Sequence, residues 1–258
     1  MARAAVSILT AADPGEKVRL SRALSEQWRA RALGIGSATP PPRPARPSRP
    51  PLLHPKEMPR RRNFGALHGR IALLHALAHI ELNAIDLGWD IVARFPGLPR
   101  AFYDDWIGVA AEEAEHFALL ATRLAALGGN YGDLPAHDGL WESAAATAHD
   151  ILARLAVVPL VLEARGLDVT PEMIRRLERA GDLDSAAILH RIYADEIDHV
   201  AAGARWFDIL CRDRGLDPET VFHDRVRRYF KGHVKPPFNR DARDRAGFPA
   251  RYYEPLAG

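Results

Sequence analysis

Apolar side chains recur at helical spacing along four long stretches, and acids and histidines interrupt the apolar face at a few positions. The first stretch predicts a helix from about Phe64 to Phe95, with Ile71, Leu74, Leu77, Ala78, Glu81, Ile85, Gly88 and Val92 on one stripe and Pro96-Gly97 as its stop. The second predicts a helix from about Ala101 to Leu127. Its stripe is Trp106, Val109, Ala110, Glu113, His116, Leu120 and Leu124, and Gly128-Gly129 ends it. The third runs from about Gly139 through Ala164, with Leu152, Leu155, Ala156, Leu160 and Glu163 facing inward. Pro159 should kink it, Gly166 looks like its end, and Thr170-Pro171-Glu172 reads as a restart, with Thr as cap and Pro in the first turn. The fourth runs from about Asp184, read as its cap, to Arg214, with Ile188, Ile192, Glu196, His199, Gly203 and Phe207 sharing a face.

Shorter elements flank these four. Residues 1–33 form a helical preamble, in which Asp13-Pro14 is a start signal and Leu20, Leu24 and Trp28 follow at helical spacing. Residues 34–62 are rich in proline and arginine and read as an extended linker or surface strap. Residues 63–215 hold the four long helices. Residues 216–258 add a helix that starts at Asp217-Pro218 and ends near Gly232, then a tail with too many aromatics (Phe238, Phe248, Tyr252, Tyr253) to be free of the rest. Two hairpins joined by the long connection that begins at Asn130–Asp138 give an all-α fold, a ferritin-like four-helix bundle of two antiparallel hairpins with a long crossover.

The polar interruptions repeat. Glu112-Glu113-Ala114-Glu115-His116 and Asp195-Glu196-Ile197-Asp198-His199 each contain Glu-x-x-His, and residues three apart on a helix share a face. Glu81 lies 32 residues before Glu113 and Glu163 lies 33 before Glu196. Glu81 is about 16 residues before the first turn and Glu113 about 16 after it, so at 1.5 Å per residue both reach one height on antiparallel helices. A lone carboxylate inside an apolar stripe must be paired, protonated or bound to a cation. Two Glu-x-x-His pairs plus one glutamate per remaining helix is the ligand set of a carboxylate-bridged dimetal site: Glu81, Glu113, His116, Glu163, Glu196 and His199. Surface charge pairs are the bland alternative. Glu142 is a fallback for Glu163, and His75 with His79 forms an i,i+4 pair more in keeping with a helix surface or core edge than with ligands. Glu112 and Asp195 are placed behind the histidines, orienting the imidazoles. Glu115 and Asp198 point elsewhere. Tyr193 is one turn from Glu196 and is either a core tyrosine or a neighbour of the metals.

Carboxylates and neutral imidazoles suit iron or manganese, so the expected cofactors are two metal ions, iron first, with manganese or a mixed pair as alternatives. Four carboxylates cancel the charge of two divalent ions. Composition adds little: 258 residues, 47% hydrophobic and a net charge of +2 fit one large domain or two small ones. Apolar runs fall short of the roughly 20 residues a membrane span needs, and no signal-peptide pattern is evident. Cys211 stands alone, as in a cytoplasmic protein. Basic residues crowd two places, Arg43, Arg46, Arg49, Lys56 and Arg60 to Arg62, and then Arg225 to Arg251; both read as a solvated linker and tail or as a surface for a polyanion.

The segments "HALAHIELNAIDLGWD", "AAEEAEHFALL", "ADEIDHVAAG" and "KGHVKPPFN" resemble the ferritin-like superfamily of di-iron carboxylate proteins, and more narrowly the bacterial family known as domain of unknown function 455, from about Pro50 to Phe238. The nearest relatives with known activity would be ferritin-like tRNA hydroxylases, which use a di-iron centre and O2. The resemblance implies the same six ligands. It favours an O2-dependent oxidase or hydroxylase fed by a separate reductase, acting on a small molecule or a tRNA, with no membrane and a monomeric or dimeric state. A storage or protective metal protein and a structural metal site are the competing expectations.

Overall fold

In the computed structural model the described residues are 1–59 and 65–258. Arg60, Arg61 and Arg62, the end of the first basic run, and Phe64, the expected start of the first long helix, lie outside them. All regular structure among the described residues is helical. Eleven α-helices follow one another: α1 (Ala2–Thr10), α2 (Pro14–Arg29), α3 (Leu67–Arg94), α4 (Arg100–Ala126), α5 (Gly139–Ala146), α6 (Ile151–Val157), α7 (Ala164–Arg179), α8 (Leu183–Arg212), α9 (Pro218–Tyr229), α10 (Arg240–Arg245) and α11 (Ala250–Tyr253). They divide between two compact units, Met1–Trp141 with Arg176–Ile188, and Glu142–Arg175 with Leu189–Gly258.

In the first unit, α3 and α4 pack along each other. The turn between them contains Gly97 at a φ of +82°, a conformation that disfavours any residue with a Cβ. The helices come close at Gly88, where a Cβ would lie 2.8 Å from that of Ala110. α4 ends as the glycines predict. Gly128 has a φ of +83°, and the Gly129 N–H donates to the Leu124 carbonyl at 2.9 Å. By length and composition alone α3 is long and apolar enough to cross a membrane, and most of that stretch is buried within the protein.

The preamble is two helices rather than one. α1, which shows no start signal in sequence, packs on α3, and α2 packs on α4. The cap is as expected: Asp13 accepts from the Glu16 N–H at 2.8 Å, with Pro14 in the first turn. The buried face of α2 is half polar (Lys17, Val18, Ser21, Leu24, Ser25, Trp28), and Leu20 is only half-buried. The proline-rich segment is tied down along its length. The Ala45 N–H donates to the Leu9 carbonyl at 2.7 Å, and Pro51 and Leu53 exchange backbone bonds with Ala136 at 3.0 and 2.8 Å.

The expected third helix is broken and then prolonged. α5 stops at Ala146, and Asp150 caps α6 by accepting from the Leu152 N–H at 2.9 Å. The buried Arg154 closes this corner by donating to the Ala144 carbonyl at 2.7 Å and to Thr147 Oγ1 at 3.1 Å. Val158–Glu163 is a π-helical turn rather than a simple kink. Pro159 offers no N–H and would strike the carbonyl four residues back, and the wider turn relieves both. Gly166 does not end the helix and Pro171 does not restart it: α7 runs through both. Pro171 leaves the Leu167 carbonyl without its helical donor, and the Asn239 side chain donates there instead, at 3.1 Å. The next helix starts one cap earlier than expected. Asp182, not Asp184, precedes α8 and accepts from the Ser185 N–H at 3.2 Å, while Asp184 pairs with Arg123 at 3.0 Å.

In the second unit, α9 is capped by Asp217, which accepts from the Thr220 N–H at 2.9 Å, and packs on α6. Beyond it Phe222, Phe248, Tyr252 and Tyr253 form a buried aromatic cluster, with centroids 5.4 Å apart for Phe222–Phe248 and 5.5 Å for Phe222–Tyr252.

Candidate metal centre

The first unit brings three of the sequence-identified residues together. Glu81 lies 13 residues before the end of α3 at Arg94, and Glu113 lies 13 residues after the start of α4 at Arg100. At 1.5 Å per residue they sit at one height along the hairpin. His116 follows one turn after Glu113. Its Nδ1 is 3.4 Å from Glu113 Oε2 and 3.5 Å from Glu81 Oε2. One ligand atom from each of the three lies within 4.8 Å of the others. The cluster is sealed: Glu81 is 4%, Glu113 1% and His116 0% exposed.

Burial and the neighbouring Glu113 charge push the Glu81 carboxyl up to about 8. Burial works against a charged His116, but Glu113 and Glu81 outweigh it and raise the imidazole to about 11. In this closed apolar site the Glu81 carboxyl and the His116 imidazole thus hold protons that ordinary carboxyl and imidazole groups would have released. A divalent ion supplies the same compensation, and the oxygen and nitrogen donors match iron or manganese. These residues fit a metal.

The second unit carries the other set. Glu196 and His199 lie one turn apart on α8, with His199 Nδ1 3.8 Å from Glu196 Oε1. His199 is buried, and the Glu196 side chain is 13% exposed. Glu163 closes the π-helical turn and is half-buried. Glu112 is exposed, and Asp195 is half-buried with Arg191 3.9 Å away. The Tyr193 hydroxyl accepts from the Asn239 amide at 2.9 Å. Glu142, the fallback ligand, is exposed in the first turn of α5. Glu115 pairs with Arg22 at 2.5 Å.

His75 and His79 hold a loop. His75 Nε2 accepts from the Gly132 N–H at 2.9 Å, which makes that nitrogen unprotonated. His79 Nδ1 meets the Tyr131 hydroxyl at 2.9 Å and its Nε2 meets the His137 carbonyl at 3.1 Å, so Nε2 donates and Nδ1 accepts. Both histidines seat Tyr131 and the Asn130–Asp138 connection against α3.

The sequence patterns missed a second layer of buried charge. Asp86, five residues after Glu81, is fully buried and pairs with Lys17 at 2.5 Å and Arg46 at 3.2 Å. Asp168, five residues after Glu163, has a side chain with no exposure and pairs with Arg243 at 2.7 Å and Arg165 at 3.3 Å. The signal was present as Glu-x-x-x-x-Asp, in "ELNAID" and "EARGLD". The first basic run is therefore in part internal: Arg46 lies on Asp86 and Asn83, and Arg43 on Asp138.

A model of the family described as "Protein of unknown function (DUF455)" matches residues 10–254. An uncharacterized protein of Haemophilus influenzae is 46% identical over 213 residues, covering 78% of this chain and 72% of that one. No solved structure matches.

Proposed function

The chain belongs to the DUF455 family, and from that premise we propose that it is a ferritin-like dimetal protein acting as an O2-dependent oxidase or hydroxylase. The observation that carries this reading is the sealed Glu81–Glu113–His116 cluster, with the raised Glu81 carboxyl and His116 imidazole. Glu81, Glu113 and His116 would hold one ion, and Glu163, Glu196 and His199 the other, with iron first and manganese or a mixed pair as the alternative. Held there, two ferrous ions would offer the reducing power that O2 chemistry needs, and a separate reductase would be required to restore it. The rest is done by the chain. Glu81 and His116 surrender their protons when the site is loaded. The apolar faces of α3 and α4 exclude water from the first set. The half-buried Glu163 and the partly exposed Glu196 make the second set the side where a substrate can approach. A cytoplasmic location and a small-molecule or tRNA substrate belong to the same proposal.

The near-complete burial of the first set favours one further reading, a structural metal that stabilises the fold. Metal analysis of protein grown with iron and manganese decides first. About two ions per chain are expected, each lost in the matching Glu113→Ala or Glu196→Ala variant. Metal below one ion per chain, or unchanged in the variants, overturns the dimetal reading. Magnetic coupling between the ions and O2 uptake with reductant then support the oxidase. Loss of the fold on chelation, without O2 uptake, supports the structural site.

A further inference from the structure

The tail motif Lys231-Gly232-His233-Val234-Lys235 is untouched by the metal reading. In the second unit its last four residues, Gly232 to Lys235, help to line a cavity of about 270 Å³, together with Val161 and Leu162 of the π-helical turn. Arg165, Asp168 and Arg243 also line it. Three cationic side chains and an imidazole therefore face one carboxylate.

That carboxylate is already saturated. Asp168 accepts from Arg243 Nε at 2.9 Å and Nη2 at 2.7 Å, from Arg165 Nη1 at 3.3 Å and from the Asn239 N–H at 2.9 Å. Arg165 Nη1 also donates to the Lys235 carbonyl at 2.7 Å and the Pro237 carbonyl at 3.1 Å, which fixes the loop. Positive charge is left over. The Arg243 side chain is 3% exposed, and its Nη1 has no hydrogen-bond acceptor. His233 and Lys235 are exposed side chains that also line the cavity. A buried guanidinium with an unmet donor is costly, and an oxyanion would satisfy it.

Val161, Leu162, Phe230 and Phe238 supply the apolar remainder of the lining. We propose that this cavity binds the carboxylate or phosphate end of a small, partly apolar molecule. The cavity borders the residues just before Glu163, so the bound molecule is a substrate for the metal centre; that last step rests on the dimetal reading, and the binding itself does not.

Calorimetric titration of the full chain with phenyl phosphate, benzoate and neutral benzyl alcohol tests this, on both metal-free and metal-loaded protein. At least one anion should saturate near one site per chain, and the alcohol should bind roughly tenfold or more weakly. The tighter anion identifies the source of the charge. His233→Ala/Lys235→Ala removes only exposed side chains, so its melting temperature should hold while anion binding falls roughly tenfold or more. No saturation by either anion, or undiminished binding in the double variant, overturns the proposal. Anion binding that persists in protein lacking metal separates this site from the dimetal reading, and metal content that persists in the double variant does so from the other side.

Discussion

The two units solve one problem with different parts. In each, a single glutamate is followed five residues later by an aspartate with no side-chain exposure, which a cation from outside the long helices holds in place. In the first unit that cation is Lys17 from the N-terminal α2. In the second it is Arg243 from the C-terminal α10. A close backbone approach stands near each glutamate–histidine set: Gly88 against Ala110 in one, and Gly203 in the other, where a Cβ would lie 2.6 Å from the Pro159 ring. The units part at the backbone. Glu81 sits on an unbroken α-helix and is sealed, whereas Glu163 ends a π-helical turn and is half-buried. The comparison teaches that the chain ends, which look dispensable beside a four-helix motif, are the counterions of its core.

The sharpest way to break the parallel is to remove each counterion. Lys17→Met and Arg243→Met should each leave a buried carboxylate with only its longer ion pair, to Arg46 or Arg165, and lower unfolding free energy by about 2–4 kcal/mol, read by denaturant melts. A large loss for Lys17 with none for Arg243 would end the equivalence. Lys17→Met/Asp86→Leu should recover part of the loss, because the buried carboxylate is then gone and Arg46, which loses its ion pair, keeps its bond to Asn83.

Next in size is the pH dependence of the metal-free protein. Glu81 rises from 4.5 to about 8 and His116 from 6.5 to about 11. The folded chain therefore binds more protons than the unfolded chain. The stability this confers is complete below the unfolded values and is lost as pH climbs through the folded ones. Between pH 6.5 and about 8 both groups contribute a fall, on the order of 1 kcal/mol per pH unit each. Chelated protein should melt lower at about pH 8 than at about pH 6.5, and Glu81→Gln should flatten the slope. A melting temperature that rises over this range would show that the cluster does not hold these protons.

Gly203→Ala and Gly88→Ala test the close approaches. Each forces a methyl group into packed atoms and should cost about 1–3 kcal/mol. Each should also lower metal content, because the contacts lie one or two turns from the ligands. The smallest expected effect is that of Asn239→Ala. It leaves the Leu167 carbonyl without a donor and frees the Tyr193 hydroxyl, for about 1–2 kcal/mol by thermal melt, with no parallel change in the first unit.

Much of the candidate site was legible. Glu-x-x-His on a helix places its two side chains on one face whatever the rest of the chain does, and equal distances from the turn bring Glu81 and Glu113 level. The ends of α3 and α4 followed from Pro96-Gly97 and Gly128-Gly129. Reading failed where a distant residue overrode a local signal. Pro171 reads as a helix start, yet the helix passes through it because Asn239, far along the chain, bonds the carbonyl that Pro171 cannot. Asp184 reads as the cap, yet Asp182 takes that place and is itself held by Arg123 at 2.7 Å and Arg70 at 3.0 Å. Asp86 and Asp168 drew no reading from the sequence, because their partners lie 69 and 75 residues away.

By itself, then, the sequence determined the all-helical class, three of the four long helices (α3, α4 and α8) and the two repeated Glu-x-x-His patterns, because periodicity, caps and i,i+3 spacing are set by residues within a few turns of one another. The tertiary structure alone decided that His75 and His79 seat a loop, that a π-helical turn carries Glu163, and that Lys17 and Arg243 neutralise the buried aspartates. Those outcomes turn on which groups lose water together and on what charge or donor then lies within reach, and no local pattern records that.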